Sequence, residues 1–302
     1  MLILVLVLAA TAVFIFYPKQ KSAPATQSGS KWEETGVAIS GKFADADIVE
    51  VEDDKFRMYY SAEPETPDFN GQVYSSVSKD GISWEKESGT RITSATFPSV
   101  IKLPDGKYRM YFQKDQVIKS ALSEDGLSWK TEDGTRVDTS NPAGLVFARV
   151  LAPTVMKVGN EYLIVYAGAI DKPYSEEKVP NQETHLFMWA KSSDGLTFEK
   201  MGIALDSRNT TFKGWVDGPE LVVWNDGTTK LFFWGYFGVF ESVFEKESFS
   251  EPKFVFYGPN FDEKMLFPSD PPGDPTLAKI NGTWNMYYGY HQKGIYRATL
   301  NK

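Results

Sequence analysis

An all-β chain of five four-stranded antiparallel units set around an axis, a five-bladed β-propeller, is predicted by three observations. A phrase recurs: Ser78-Lys79-Asp80-Gly81-Ile82-Ser83-Trp84, Ser123-Glu124-Asp125-Gly126-Leu127-Ser128-Trp129, and Ser192-Ser193-Asp194-Gly195-Leu196-Thr197-Phe198. Each copy follows the same pair of strands, one apolar and one aromatic. Aromatic residues make up 15% of the chain, and stretches with helical periodicity are scarce.

In blade one the first strand begins at Asp45-Ala46-Asp47-Ile48-Val49 and the second is Phe56-Arg57-Met58-Tyr59-Tyr60. Blade two repeats this with Pro98-Ser99-Val100-Ile101 and Tyr108-Arg109-Met110-Tyr111-Phe112, and blade three with Pro153-Thr154-Val155-Met156 and Tyr162-Leu163-Ile164-Val165-Tyr166. A short charged strand after each phrase ends in Thr90-Arg91-Ile92, Thr135-Arg136-Val137 or Ile203-Ala204-Leu205 and completes the four. Blades four and five keep only the first two strands recognisably. They are Gly218-Pro219-Glu220-Leu221-Val222 with Lys230-Leu231-Phe232-Phe233-Trp234, and Asp274-Pro275-Thr276-Leu277 with Thr283-Trp284-Asn285-Met286-Tyr287-Tyr288. The Asp-Gly step supplies the positive φ that a tight reversal needs, and the Asp side chain accepts bonds from the turn's own amides. Asp80, Asp125 and Asp194 therefore read as turn residues.

The last unit ends in a third strand, Gly294–Leu300, with no fourth after it. Residues 32–39, Trp-Glu-Glu-Thr-Gly-Val-Ala-Ile, match the fourth strand of blade one. They are expected to pair beside residues 294–300, which would close the ring and remove its exposed edges.

The expected organisation is a signal peptide or membrane anchor over 1–17, a linker over 18–31 and the propeller over 32–302. Met1 to Tyr17 is apolar except for Thr11 and is followed by Lys19 and Lys21. Its length falls between a signal-peptide core and a membrane span, and no Lys or Arg precedes it. Export or an N-terminal anchor, with the propeller outside the cytoplasm, is the preferred reading; Lys19 and Lys21 alone would favour the opposite topology. A net charge of −8 argues against nucleic acid or an anionic membrane surface as partner, and the absence of cysteine excludes disulfides and thiolate metal sites. A monomer is expected. No cofactor is expected either, although a structural calcium is compatible with the fold.

First strands of a propeller converge on its axis, so residues at their starts share one funnel. Acids gather there: Asp45, Asp47, Asp217, Glu220 and Asp274. Alternation along a strand puts Asp45 and Asp47 on one face and turns Asp217 and Glu220 apart, unless the Gly218-Pro219 step twists the strand. Arg149 and Arg208 are candidate partners of these acids. Trp215, Trp234, Tyr236 and Phe237 are candidate aromatic platforms of the kind that stack on sugar C–H faces. Of the two histidines, His185 and His291, His291 is the one placed to face the funnel, and two are too few for a metal cluster. The polar segments 171–184 and 260–273 exceed hairpin length and are expected to rim a groove.

At the funnel acids the chain resembles the five-bladed glycoside hydrolases that include arabinanases, β-xylosidases, invertases and levansucrases, the family 43/32 type. The resemblance spans nearly the whole repeat region through short motifs. It implies an enzyme that hydrolyses glycosidic bonds of oligo- or polysaccharides with paired carboxylates. Asp45, in an Asp-Pro-Asp-like step with Ala46 in the proline's place, takes the position of the general base. Asp217, in Asp217-Gly218-Pro219, takes that of the general acid with a side chain one methylene shorter than the family's Glu; Glu220 is the rival acid. The family's third-blade Asp, which tunes the acid, is Ala152 here, and Thr96-Phe97-Pro98-Ser99 keeps only the proline of Trp-Ala-Pro-Asp. Asp274 is the candidate replacement for the tuning acid. A pair about 6.5–9.5 Å apart would invert the anomeric centre and one about 5–5.5 Å apart would retain it. The alternative from another class is a non-catalytic propeller that binds a carbohydrate or a protein with an eroded catalytic set. The two differ in what Asp45 meets: a second carboxyl across the funnel for the enzyme, an Arg or backbone amides for the binder.

Overall fold

The computed structural model describes residues 31–175, 183–236, 238–257 and 273–301. The apolar run at 1–17, the linker apart from Lys31, Phe237 and most of the two long loops lie outside the described residues. Five antiparallel sheets form the blades of a propeller, and no helix among the described residues is long and apolar enough to cross a membrane.

Blade one comprises Phe43–Glu52, Lys55–Ala62 and Gln72–Ser78, with the short outer pieces Glu85–Lys86 and Ile92–Thr93. Blade two is Thr96–Lys102, Tyr108–Lys114, Val117–Ser123 and Lys130–Thr131; blade three is Arg149–Val158, Glu161–Ile170, Thr184–Ser192 and Glu199–Leu205. Blade four is Asp217–Val223, Thr229–Gly235 and Gly238–Glu245, its outer strand split into Ser248–Phe249 and Lys253–Phe256. Blade five is Gly273–Ile280, Thr283–Tyr290 and Gly294–Leu300, completed by Trp32–Ser40 from the other end of the chain. That is the expected closure, residues 32–39 beside 294–300, in a register that sets Trp32 opposite Leu300 and Ser40 opposite Gly294.

The core consists of clusters that each straddle one junction between neighbouring blades. Second-strand rings such as Tyr59, Tyr111 and Tyr287 are fully buried there. The repeated phrase serves these junctions. Asp80 Oδ1 accepts from the amides of Ile82 and Ser83 at 2.8 and 2.9 Å, and Asp125 and Asp194 do the same two and three residues on. The carbonyls of Gly81, Gly126 and Gly195 accept from the hydroxyls of Tyr287, Tyr59 and Tyr111 in the preceding blade, at 2.7–2.9 Å. A Cβ at any of these glycines would stand 2.7–2.8 Å from that hydroxyl, so the contact requires glycine for space as well as for its positive φ. The ring ending each phrase meets the same tyrosine edge-on: Trp84 on Tyr287, Trp129 on Tyr59, Phe198 on Tyr111.

One device repeats in all five first strands and positions the site. Asp45, Phe97, Ala152, Gly218 and Asp274 have φ between 45° and 55°, and in four of the five blades a proline follows. Left-handed conformation costs a non-glycine residue energy, and each occurrence coincides with a register shift that breaks the alternation of the strand. The expectation that Asp45 and Asp47 share a face therefore fails. Both border the axial channel, but only Asp47, with Thr154 and Glu220, also borders the cavity at its other end.

Candidate functional site

The deeper level is a ring of ties between blades. Asp47 accepts from the amide of Val100, Ser99 from Val155 at 3.0 Å and Thr154 from Leu221 at 3.0 Å, each side chain bonding to the next blade. Glu220 occupies the same register position in blade four. Its carboxyl accepts from the hydroxyls of Thr276 at 3.0 Å and Thr154 at 3.3 Å. Burial pushes the Asp47 carboxyl up to about 7 against the pull of the Val100 amide. Glu220 is raised well above the usual range by burial and then by the charge of Asp47. Two acids in a desolvated ring otherwise built of hydroxyls account for these directions.

The upper level carries the other three acids. Asp45 lies beside Ser61 and Asp274 and in the field of Asp217 and Glu63; burial, the largest effect, raises it to about 7. Asp274 is raised well above the carboxylate range by burial, then by the charges of Asp45 and Asp217. Burial and the crowding of like charges thus favour the protonated forms of both carboxyls. Gly218 makes this convergence possible: a Cβ there would lie 2.4 Å from both Cα and Oδ1 of Asp274. Trp234 Nε1 donates to Asp274 Oδ1 at 3.1 Å and fixes that carboxyl. Asp217, 6% exposed, accepts from the Gly218 amide at 3.0 Å and faces His185 Nδ1 at 3.2 Å.

Trp215 stacks on His185 at 4.0 Å between ring centroids and meets Trp234 edge-on at 6.0 Å, so the two indoles form one wall beside Asp217 and Asp274. The Trp215 indole N–H is buried and has no hydrogen-bond partner among the described residues. Tyr236 is 6% exposed and belongs to the packing at the end of its strand rather than to an open surface.

The two arginines part company. Arg149 grips Glu183 through both carboxylate oxygens, and Glu183 lies 3.2 Å from His185 Nε2, so Arg149 reaches Asp217 only through two intermediaries. Arg208 is spent on Asp206, two residues away, at 2.7–2.8 Å, because a salt partner on its own turn is nearer than the funnel acids. His291 is 63% exposed at the rim, 3.6 Å from Glu63 and 3.4 Å from Glu65, with the buried Glu63 between it and Asp45. These three side chains bring one ligand atom each within 4.8 Å of one another, the one grouping of at least three metal-ligating side chains among the described residues.

Sequence reasoning passed over His185, Glu183, Ser61 and Glu63. Two of them flank strand ends: Glu63 follows Ala62, and Glu183 precedes Thr184. The signal that could have found Glu63 and Glu183 is their place after the second strand or before the third, on the same rim as the first-strand starts.

No family model matches this chain, and no curated protein does. Solved structures share its fold. A glycoside hydrolase superposes with a TM-score of 0.67 over 89% of this chain and 91% of its own, at 12% identity. A member of the GH130 family of mannoside phosphorylases, which contains glycoside hydrolases that target β-1,2 mannosidic linkages in Candida mannan, gives 0.64 over 93% and 97% at 11% identity. A thermostable family-43 glycoside hydrolase gives 0.59 over 89% and 91% at 16% identity. The shared five-bladed propeller is the one that the sequence motifs implied.

Proposed function

We propose that this protein is a glycoside hydrolase acting on oligo- or polysaccharides, with Asp45 as general base and Asp217 as general acid. The observation that carries the reading is the clustering of three carboxyls: Asp45 and Asp274 line the axial channel, and Asp217 lies close enough for its charge to act on both. The groups that act on Asp45 are Ser61 and the carboxyls of Asp274, Asp217 and Glu63, with no arginine among them. A binding module has no need to hold three like charges together, and the cost of doing so is recovered where protons are moved.

In this reading the glycosidic oxygen takes a proton from Asp217 as its bond to the anomeric carbon breaks, and the bonding pair stays with the leaving oxygen. A water attacks that carbon from the other face and gives its proton to Asp45. Asp274, packed beside Asp45 and Asp217, is the third carboxyl of the site and takes the place of the tuning acid that Ala152 does not supply. Asp47 and Glu220 are committed to the inter-blade ring, which makes Glu220 the poorer acid. Trp215 and Trp234 form the apolar wall for a sugar ring.

The test is reducing-sugar release from arabino-, xylo-, fructo-, galacto- and manno-oligosaccharides by residues 31–302, beside Asp45→Asn. Release by the wild-type protein alone supports the reading. No release by a folded wild-type protein favours the binding module, for which a ligand-induced thermal shift is the next measurement. We also read residues 1–17 as the leader or anchor of a monomer working outside the cytoplasm; cell fractionation and sedimentation test both points.

A further inference from the structure

Behind Asp217 stands a chain of charged and polar groups that packing does not require. His185, 1% exposed, is locked by its own backbone: its amide donates to the Gly214 carbonyl at 2.9 Å, and its carbonyl accepts from the Ser207 hydroxyl. Its ring is covered by Trp215 and has a carboxyl at each nitrogen, Asp217 Oδ2 at Nδ1 and Glu183 Oε2 at Nε2, both at 3.2 Å. Arg149 lies behind Glu183, and Asp45 and Asp274 lie behind Asp217. The Arg149 guanidinium bonds both oxygens of Glu183 and keeps that carboxyl ionised, so Nε2 must present an N–H to it. The tautomer is then fixed, and Nδ1 is turned toward Asp217.

We propose that His185 is the positioning residue of Asp217, and that Nδ1 and the Asp217 carboxyl share the single proton that Asp217 delivers to the leaving oxygen. This rests on the reading of Asp217 as the acid. It explains how a short side chain without an acid at position 152 is kept loaded and aimed: His185 holds one oxygen of the carboxyl from behind, and Arg149 and Glu183 hold His185. When the glycosidic bond breaks, the proton leaves with the departing oxygen. Asp217 becomes a carboxylate and His185 remains neutral with its proton on Nε2, while the proton of the attacking water resides on Asp45. The proton count balances without a further group.

The chain has two histidines, one buried and one exposed, so imidazole ¹⁵N NMR of residues 31–302 at pH 7 reads His185 directly and needs no substrate. The expected result is a slowly exchanging N–H on Nε2 and an Nδ1 shift between the protonated and bare extremes. Asp217→Asn should move the Nδ1 shift to the bare extreme, and Glu183→Gln should release the fixed tautomer. His291 and the backbone amides report whether each variant is folded. A proton found on Nδ1 with Nε2 bare, or an Nδ1 shift that ignores Asp217→Asn, overturns the proposal whether or not the protein hydrolyses any sugar. In an active enzyme, His185→Gln should lower kcat roughly tenfold to a hundredfold with KM nearly unchanged and move the alkaline limb of the pH profile. A loss confined to KM contradicts it.

Discussion

Replacing Asp47 with Asn removes a charge from the channel wall while keeping the oxygen that accepts from Val100. Asp47 is 7% exposed, and burial lifts its carboxyl from 3.8 to about 7. The folded protein therefore binds a proton here that the unfolded chain has already released above pH 4, so this group's contribution to stability falls as pH rises from about 4 to about 7. A shift of this size corresponds to about 4 kcal/mol once pH exceeds 7, of which roughly 3 kcal/mol accrues between pH 5 and pH 8. Asp47→Asn is neutral throughout and escapes this cost; it also removes the charge that helps to raise Glu220. Urea denaturation of both proteins at pH 5 and pH 8 should show the variant gaining on the wild type by about 3 kcal/mol over that interval. A stability difference independent of pH would refute the claim that this carboxyl is desolvated in the ring.

Three further outcomes are expected. Gly218→Ala places a Cβ 2.4 Å from Asp274 at a φ of 55°, so it should destabilise the fold by a few kcal/mol and suppress activity; unchanged unfolding would contradict the contact. Tyr111→Phe strands the buried Gly195 carbonyl and should cost about 1–3 kcal/mol in chemical denaturation, with Tyr59→Phe at Gly126 behaving alike; losses near zero would show the phrase is not a junction clamp. Gly294→Ala puts a Cβ 2.1 Å from the Ile39 carbonyl at the ring closure, whereas Gly36→Ala has a similar φ and open space. The melting temperature should fall further for the first, and equal falls would mean that the closing strand yields there at little cost.

The blades were legible because the junction itself is repeated: the phrase carries its Asp for the turn, its Gly for the tyrosine of the preceding blade and its aromatic ring for the same tyrosine. Ring closure was legible because Trp32 to Ile39 retains the pattern of a strand that blade five lacks. The funnel acids could be named from their place at strand starts, but not sorted by depth. That sorting depends on the left-handed residue and register shift in each first strand, and a rule of strict alternation places Asp45 beside Asp47 when the bulge separates them. His185 escaped because one histidine on an apolar strand has no sequence signature; its meaning comes from Glu183 two residues before it and Asp217 thirty-two residues after it. Arg208 misled because a nearby Asp206 competes for it.

The account turns on Asp45 as a base that becomes available when its own carboxyl, raised by burial and by the charges of Asp217 and Glu63, loses its proton. The most direct measurement is kcat/KM against pH, on whichever oligosaccharide is cleaved, for the wild type and Asp45→Asn. The folded-state value of about 7 predicts that wild-type kcat/KM climbs with pH up to about 7 before it levels, and that this limb disappears with the side chain. A rate that falls as pH rises through 7, or a limb that survives in Asp45→Asn, would contradict it.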